Sequence, residues 1–73
     1  MKVIYKVKEI RQKKGLTIRA LALKSGVSKS EISDIERGEI HPTVYTLCLL
    51  ASALQVDARC LFAYKVSKMS DNS

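Results

Sequence analysis

The amino-acid sequence predicts an all-α domain of five short helices around a single core. Three observations lead there. Apolar residues recur at helical spacing between Gly15, Gly26, Gly38 and Pro42. Thr17, Ser28, Thr43 and Asp57 each stand where a helix could be capped. At 73 residues there is room for one core. Such a chain buries only about 60% of the surface its unfolded form exposes, so tight helix packing has to supply the stability.

Ile4, Val7 and Ile10 are spaced for the inner side of a first helix, which Lys13, Lys14 and Gly15 bring to an end. Val3, Tyr5 and Val7 also alternate, so an extended segment over residues 2–6 beside Tyr64 and Val66 is the alternative to that leading helical reading. Thr17 caps a second, short helix that carries Leu21 and Ala22 and ends at Gly26. Ser28 caps a third; Glu31 closes a capping box, Ile32 and Ile35 face inward, and Gly38 stops it. Pro42 excludes helix, and Thr43 caps a fourth along Val44, Leu47, Leu50, Ala51 and Leu54. Asp57 caps a last turn or two holding Leu61 and Phe62. Residues 1–63 are thus expected to form the domain, and 64–73, ending in KVSKMSDNS, a flexible C-terminal tail.

Formal charge is +6, unevenly spread. Residues 1–30 hold nine Lys or Arg and one Glu, a balance of +8, whereas residues 31–73 carry −2. A basic front half suits a phosphate-bearing partner or a solvated surface. Cys48 and Cys60 are expected to be free, buried or half-buried thiols, since their spacing matches no metal set and His41 is the sole histidine. No metal, cofactor or small-molecule substrate is expected. With no Ser–His or Cys–His spacing and no phosphate-cradling glycine loop, neither is catalysis. No stretch has the length of a signal peptide or a membrane span, so a cytoplasmic location is expected.

Two helices joined through Gly26, the second capped by serine, make a helix-turn-helix at helices 2 and 3. The stretch GLTIRALALKSGVSKSEISDIERGEIHPTVYTLCLLASALQVDARCLF resembles the lambda-repressor-like (Xre and Cro) regulators. The match lies in Lys14-Gly15-Leu16-Thr17, Leu21-Ala22, Gly26-Val27-Ser28, Ile32-Ser33, Ile35-Glu36-Arg37-Gly38, Pro42-Thr43, Leu47, Ala51 and residues 56–62. It spans residues 4–62 and implies a compact five-helix DNA-binding domain and a transcriptional regulator, most simply a repressor.

Helical geometry says what the third helix could do. At about 100° per residue from Lys29, Ile32 and Ile35 fall near 300° and 240°. The opposite side holds Lys29, Ser30, Ser33, Asp34 and Arg37. With residues 29–36 in the major groove, Lys29, Ser30, Ser33 and Asp34 are the expected base contacts, as the resemblance also implies. Thr17, Arg19, Ser28, Lys29, Arg37 and His41 are expected to meet phosphate, His41 being equally readable as an exposed loop residue before proline. The resemblance further implies an ion pair between Glu36 and Arg11. Two departures stand out: Ile18 replaces a common phosphate-binding Gln, and Asp34 stands where relatives more often carry Arg, Lys or Gln.

On the fourth helix Tyr45, Cys48 and Leu49 replace residues that are usually polar, and an apolar outer stripe suggests a homodimer. The alternative is a helix-turn-helix module that binds a protein, an antitoxin-like or anti-repressor partner, with little or no specific DNA binding. Ile18, Asp34 and that stripe support it. The basic front half opposes it.

Overall fold

The computed structural model describes residues 1–67 and contains four α-helices, one 3-10 turn and a two-stranded antiparallel sheet. In chain order these are β1 (Lys2–Tyr5), α1 (Val7–Lys13), α2 (Ile18–Ser25), α3 (Lys29–Glu36), α4 (Val44–Leu54), the 3-10 turn (Ala58–Leu61) and β2 (Phe62–Lys65).

This corrects the five-helix, all-α expectation at both ends of the chain. Of the two readings open for residues 2–6, the extended one is realised. Lys2, Val3, Ile4 and Tyr5 lie opposite Lys65, Tyr64, Ala63 and Phe62. Ile4 therefore does not continue the inner side of α1 but lies on an exposed sheet position, 54% accessible. The reason is non-local. A partner strand some sixty positions away takes the inward-facing backbone groups of residues 2–5, and Lys6 N–H donates to Leu61 O at 2.7 Å beyond the last pair. The expected fifth helix shrinks to one turn because Phe62 (φ −150°, ψ 159°) has already entered the strand. Tyr64 and Lys65 of the expected tail belong to β2, and residues 68–73 of that tail lie outside the described residues.

The middle of the chain follows its caps. Thr17, Ser28 and Thr43 sit in extended backbone at the starts of α2, α3 and α4, each side-chain oxygen accepting from the N–H three residues on. Asp57 caps the 3-10 turn through Arg59 N–H. Gln55, at φ 59° and ψ 44°, ends α4 in the left-handed region that glycine usually takes.

One core joins these pieces: Val7, Leu21, Val27, Ile32, Ile35, Leu47, Leu50, Ala51, Leu54 and Leu61. Removing one such Val, Leu or Ile side chain from water contributes about 1.5–3 kcal/mol. Every helix reaches this cluster, so the short helices are held by packing rather than by propensity. Val44 departs from the expected inner stripe: at the first position of α4 it is 77% exposed.

Candidate nucleic-acid interface

The turn between α2 and α3 is built from its own residues. Gly26 closes α2 at φ 79°, its N–H donating to Ala22 O, a conformation that would strain any side chain. Buried Ser25 then accepts from Val27 N–H at 3.1 Å, and Val27 drops into the core. Chain direction is thereby set before Ser28 Oγ accepts from Glu31 N–H at 3.1 Å and starts α3. Only this half of the expected capping box forms; among the described residues no bond returns from the Glu31 carboxylate to Ser28 N–H.

Ile32 and Ile35 are fully buried, which turns the other side of α3 outward. Lys29 and Ser30 are exposed on its first turn, and Ser33 and Asp34 are half-exposed on its second. At the mouth of the turn, Arg19 and Leu23 of α2 share one open groove with Gly26, Ser28 and Lys29. Two cations and a hydroxyl thus converge where α3 begins, and the positive end of the helix dipole adds to them. Ile18 rests against the core, while Arg19 beside it is exposed. Leu23, 79% exposed, drew no notice in the sequence because its spacing with the core residues of α2 is unremarkable.

Two contacts on this surface escaped sequence reasoning. Arg37 bends back along α3: its guanidinium donates to Ser33 Oγ (Nη1, 2.5 Å) and Asp34 Oδ1 (Nη2, 2.5 Å). The expected phosphate contact is therefore engaged with two of the expected base contacts. Spacings of three and four on one helix could have signalled it. His41 Nδ1 lies 2.8 Å from Tyr5 Oη, which ties the loop before Pro42 to β1 and sets His41 apart from the α2–α3 mouth.

Beneath the surface, Arg11 of α1 meets the end of α3. Its Nε donates to Glu36 Oε2 at 2.7 Å, Nη2 to Oε1 at 3.0 Å, and Nη1 to Leu16 O at 2.8 Å. The two side chains keep 9% and 5% of their surface exposed. The bond to Glu36 raises the pKa of Arg11 above its ordinary value, partly opposed by burial. One bidentate clasp thus fixes α1, the loop into α2 and α3 relative to one another.

The outer side of α4 is apolar and open. Tyr45 is 73% exposed and Cys48 is exposed, with Leu49 half-buried against the core. Val44 continues this surface into a groove with Val3, Tyr5, Leu47, Phe62 and Tyr64. Cys48 and Cys60 are free, as expected, but both are exposed rather than buried or half-buried. Among the described residues no three His, Cys, Asp or Glu stand close enough to hold a metal ion, and no helix is long and apolar enough to cross a membrane.

Comparison with known proteins agrees with this geometry. The helix-turn-helix family model HTH_3 matches residues 7–59. The HTH-type transcriptional regulator SutR of Escherichia coli (strain K12) is 44% identical over 50 residues, covering 68% of this chain and 28% of SutR. Among solved structures, the restriction-modification controller protein C.AhdI of Aeromonas hydrophila superposes with a TM-score of 0.72 at 33% identity, covering 74% of this chain and 82% of that one. A complex of SinR protein with SinI protein gives 0.72 at 34% identity over 75% of this chain and 54% of that one. The chain thus spans less than a third of SutR.

Proposed function

The chain belongs to the lambda-repressor-like helix-turn-helix family HTH_3, and from that premise we propose that it is a sequence-specific double-stranded DNA-binding transcriptional regulator, acting as a repressor. One observation carries this. The side of α3 opposite buried Ile32 and Ile35 is open, polar and flanked at its N-terminal end by Arg19 and Lys29. A helix so presented suits the major groove, where Lys29 reaches guanine O6 or N7 and Ser30 bonds several base edges. Thr17, Arg19 and Ser28 lie on the side that meets phosphate, which sets register and supplies much of the affinity. His41, engaged with Tyr5, is the weakest member of the expected phosphate set. No step of this function calls for catalysis, a cofactor or a metal. Its place is the cytoplasm, on the nucleoid.

The exposure of Val44, Tyr45 and Cys48, with Leu49 half-buried beside them, supports this side of α4 as the surface for a second copy. Two-fold pairing would set two recognition helices about 34 Å apart, one turn of DNA. The test is selection of bound duplexes from a random pool at near-physiological salt. An enriched inverted repeat with half-sites one turn apart supports the dimeric DNA reader.

A protein-interaction module remains the second reading, and the open apolar surface of α4 favours it. Its signature in the same selection is no enrichment, with only weak, salt-sensitive binding left.

A further inference from the structure

We infer that Asp34 and Arg37 form one base-pair reader that selects a G·C pair in the major groove; the inference rests on the DNA-binding function proposed above. A lone carboxylate on a groove-facing helix is unfavourable near phosphate, and Arg37 by itself would be a plain phosphate ligand. The structure joins them. Arg37 Nη2 donates to Asp34 Oδ1 and Nη1 to Ser33 Oγ, with Glu39 Oε2 a further 3.9 Å from Nε. Asp34 and Arg37 stay 39% and 55% exposed, so neither is sealed off from a ligand.

The unit has a definite hydrogen-bonding pattern. Asp34 engages Oδ1 with the guanidinium and keeps Oδ2 as an acceptor. A guanidinium carries five N–H donors, two of which serve Ser33 and Asp34, so donors remain beside that acceptor. In the major groove a G·C pair presents guanine N7 and O6 as acceptors followed by cytosine N4 as a donor. Arg37 donating to O6 or N7 and Asp34 accepting from N4 match that order. An A·T pair keeps N7 as an acceptor but sets the adenine N6 donor where guanine offers O6 and the thymine O4 acceptor against the carboxylate, so discrimination comes from the O6 and N4 contacts. Pairing with Arg37 also offsets the charge of Asp34, which lessens its repulsion from phosphate. Ser33 holds the guanidinium from its other side and keeps it over the groove-facing surface rather than out toward the backbone.

The experiment uses the full chain and its Asp34→Ala and Arg37→Ala variants, with melting curves confirming that each is folded. Duplexes are selected from a random pool by the parent and by each variant, and affinity for the parent's best duplex is measured across a salt series. The parent is expected to enrich one G·C pair per half-site. Replacing that pair by A·T is expected to weaken parent binding roughly 5- to 150-fold. Each variant is expected to lose this discrimination while keeping preferences elsewhere in the half-site. Arg37→Ala is also expected to leave the slope of log affinity against log salt unchanged. A slope reduced by about 0.9 with preference intact would identify Arg37 as a phosphate contact and overturn the inference. So would an enriched site without that G·C pair, or one that both variants select as the parent does. Those outcomes leave DNA reading standing. No enrichment by the parent itself overturns both.

Discussion

Replacing Glu36 by alanine is expected to unfasten the domain without touching the groove surface. Its two carboxylate oxygens take Nε and Nη2 of Arg11 at 2.7 and 3.0 Å in a site where the side chains keep only 9% and 5% of their surface. Alanine would leave a buried guanidinium with Leu16 O as its one remaining hydrogen-bond partner among the described residues. Removing one member of a buried pair costs about 3–5 kcal/mol, mostly through the orphaned charge. A domain of 73 residues, at roughly 0.05–0.15 kcal/mol per residue, has about 4–11 kcal/mol in all. The substitution therefore takes a large share of the total. At roughly 4–8 °C per kcal/mol for a domain this small, melting should fall by about 12–40 °C. Thermal and urea unfolding followed by circular dichroism, at one protein concentration, measures it. Exchanging both partners for apolar residues, Arg11→Met with Glu36→Leu, should recover much of the loss because no buried charge is left alone. A single variant within about 1 kcal/mol of the parent, or a double variant no better than the single, would refute this account and show that water reaches the pair.

Four other outcomes are expected. Gln55→Gly should stabilise by about 1 kcal/mol or less, since glycine relieves the left-handed backbone at the end of α4 but frees the unfolded chain; a lower melting temperature would contradict it. The hydrogen bonds from Arg59 hold the Asp57 carboxyl at about 2, down from 3.8, so its cap contributes above about pH 4 and is lost as pH falls through about 2. A carboxyl-carbon NMR titration with its midpoint near 3.8 would disprove that. Lys29→Ala and Ser30→Ala should each weaken binding to a selected duplex by roughly 1–3 kcal/mol with melting unchanged, and wild-type affinity in both would remove α3 from the groove. Tyr45→Lys should shift sedimentation toward the monomer; an unchanged dimer would move the interface off α4.

The helices were legible because their signals are local. Thr17, Ser28 and Thr43 announce α2, α3 and α4 through a bond that each makes three residues away. The outward side of α3 follows from the period of Ile32 and Ile35 alone. Residues 2–5 are misread as helix for the opposite reason. Ile4, Val7 and Ile10 suit a helix while Val3, Tyr5 and Val7 suit a strand, and only β2 at the far end of the chain decides. Phe62 suits a fifth helix by its spacing after Asp57, and only its pairing with Tyr5 makes it a strand residue. The contact between Arg11 and Glu36 joins residues 25 positions apart, which no spacing rule reaches; the family resemblance suggested it. Arg37 shows the converse, where its spacing to Ser33 and Asp34 is visible in the sequence but its charge beyond the third helix suggests a phosphate contact instead.

The pairing of β1 with β2 also has a mechanical meaning. Because the strands run antiparallel, Lys2 and Lys65 lie side by side at one end of the ribbon, and Met1 N donates to Ser67 Oγ just beyond them. Tension applied through flanking chain would act on that end first and part the strands pair by pair, like a zipper, rather than shearing all their bonds at once. Such opening needs little force until, past the bond from Lys6 N–H to Leu61 O, it meets Val7 and Leu61, both fully buried in the core. A load pulling on the domain from both sides would thus be absorbed by two short strands before it reached the clasp between Arg11 and Glu36, and α2 and α3 would keep their relative orientation while the ribbon yields.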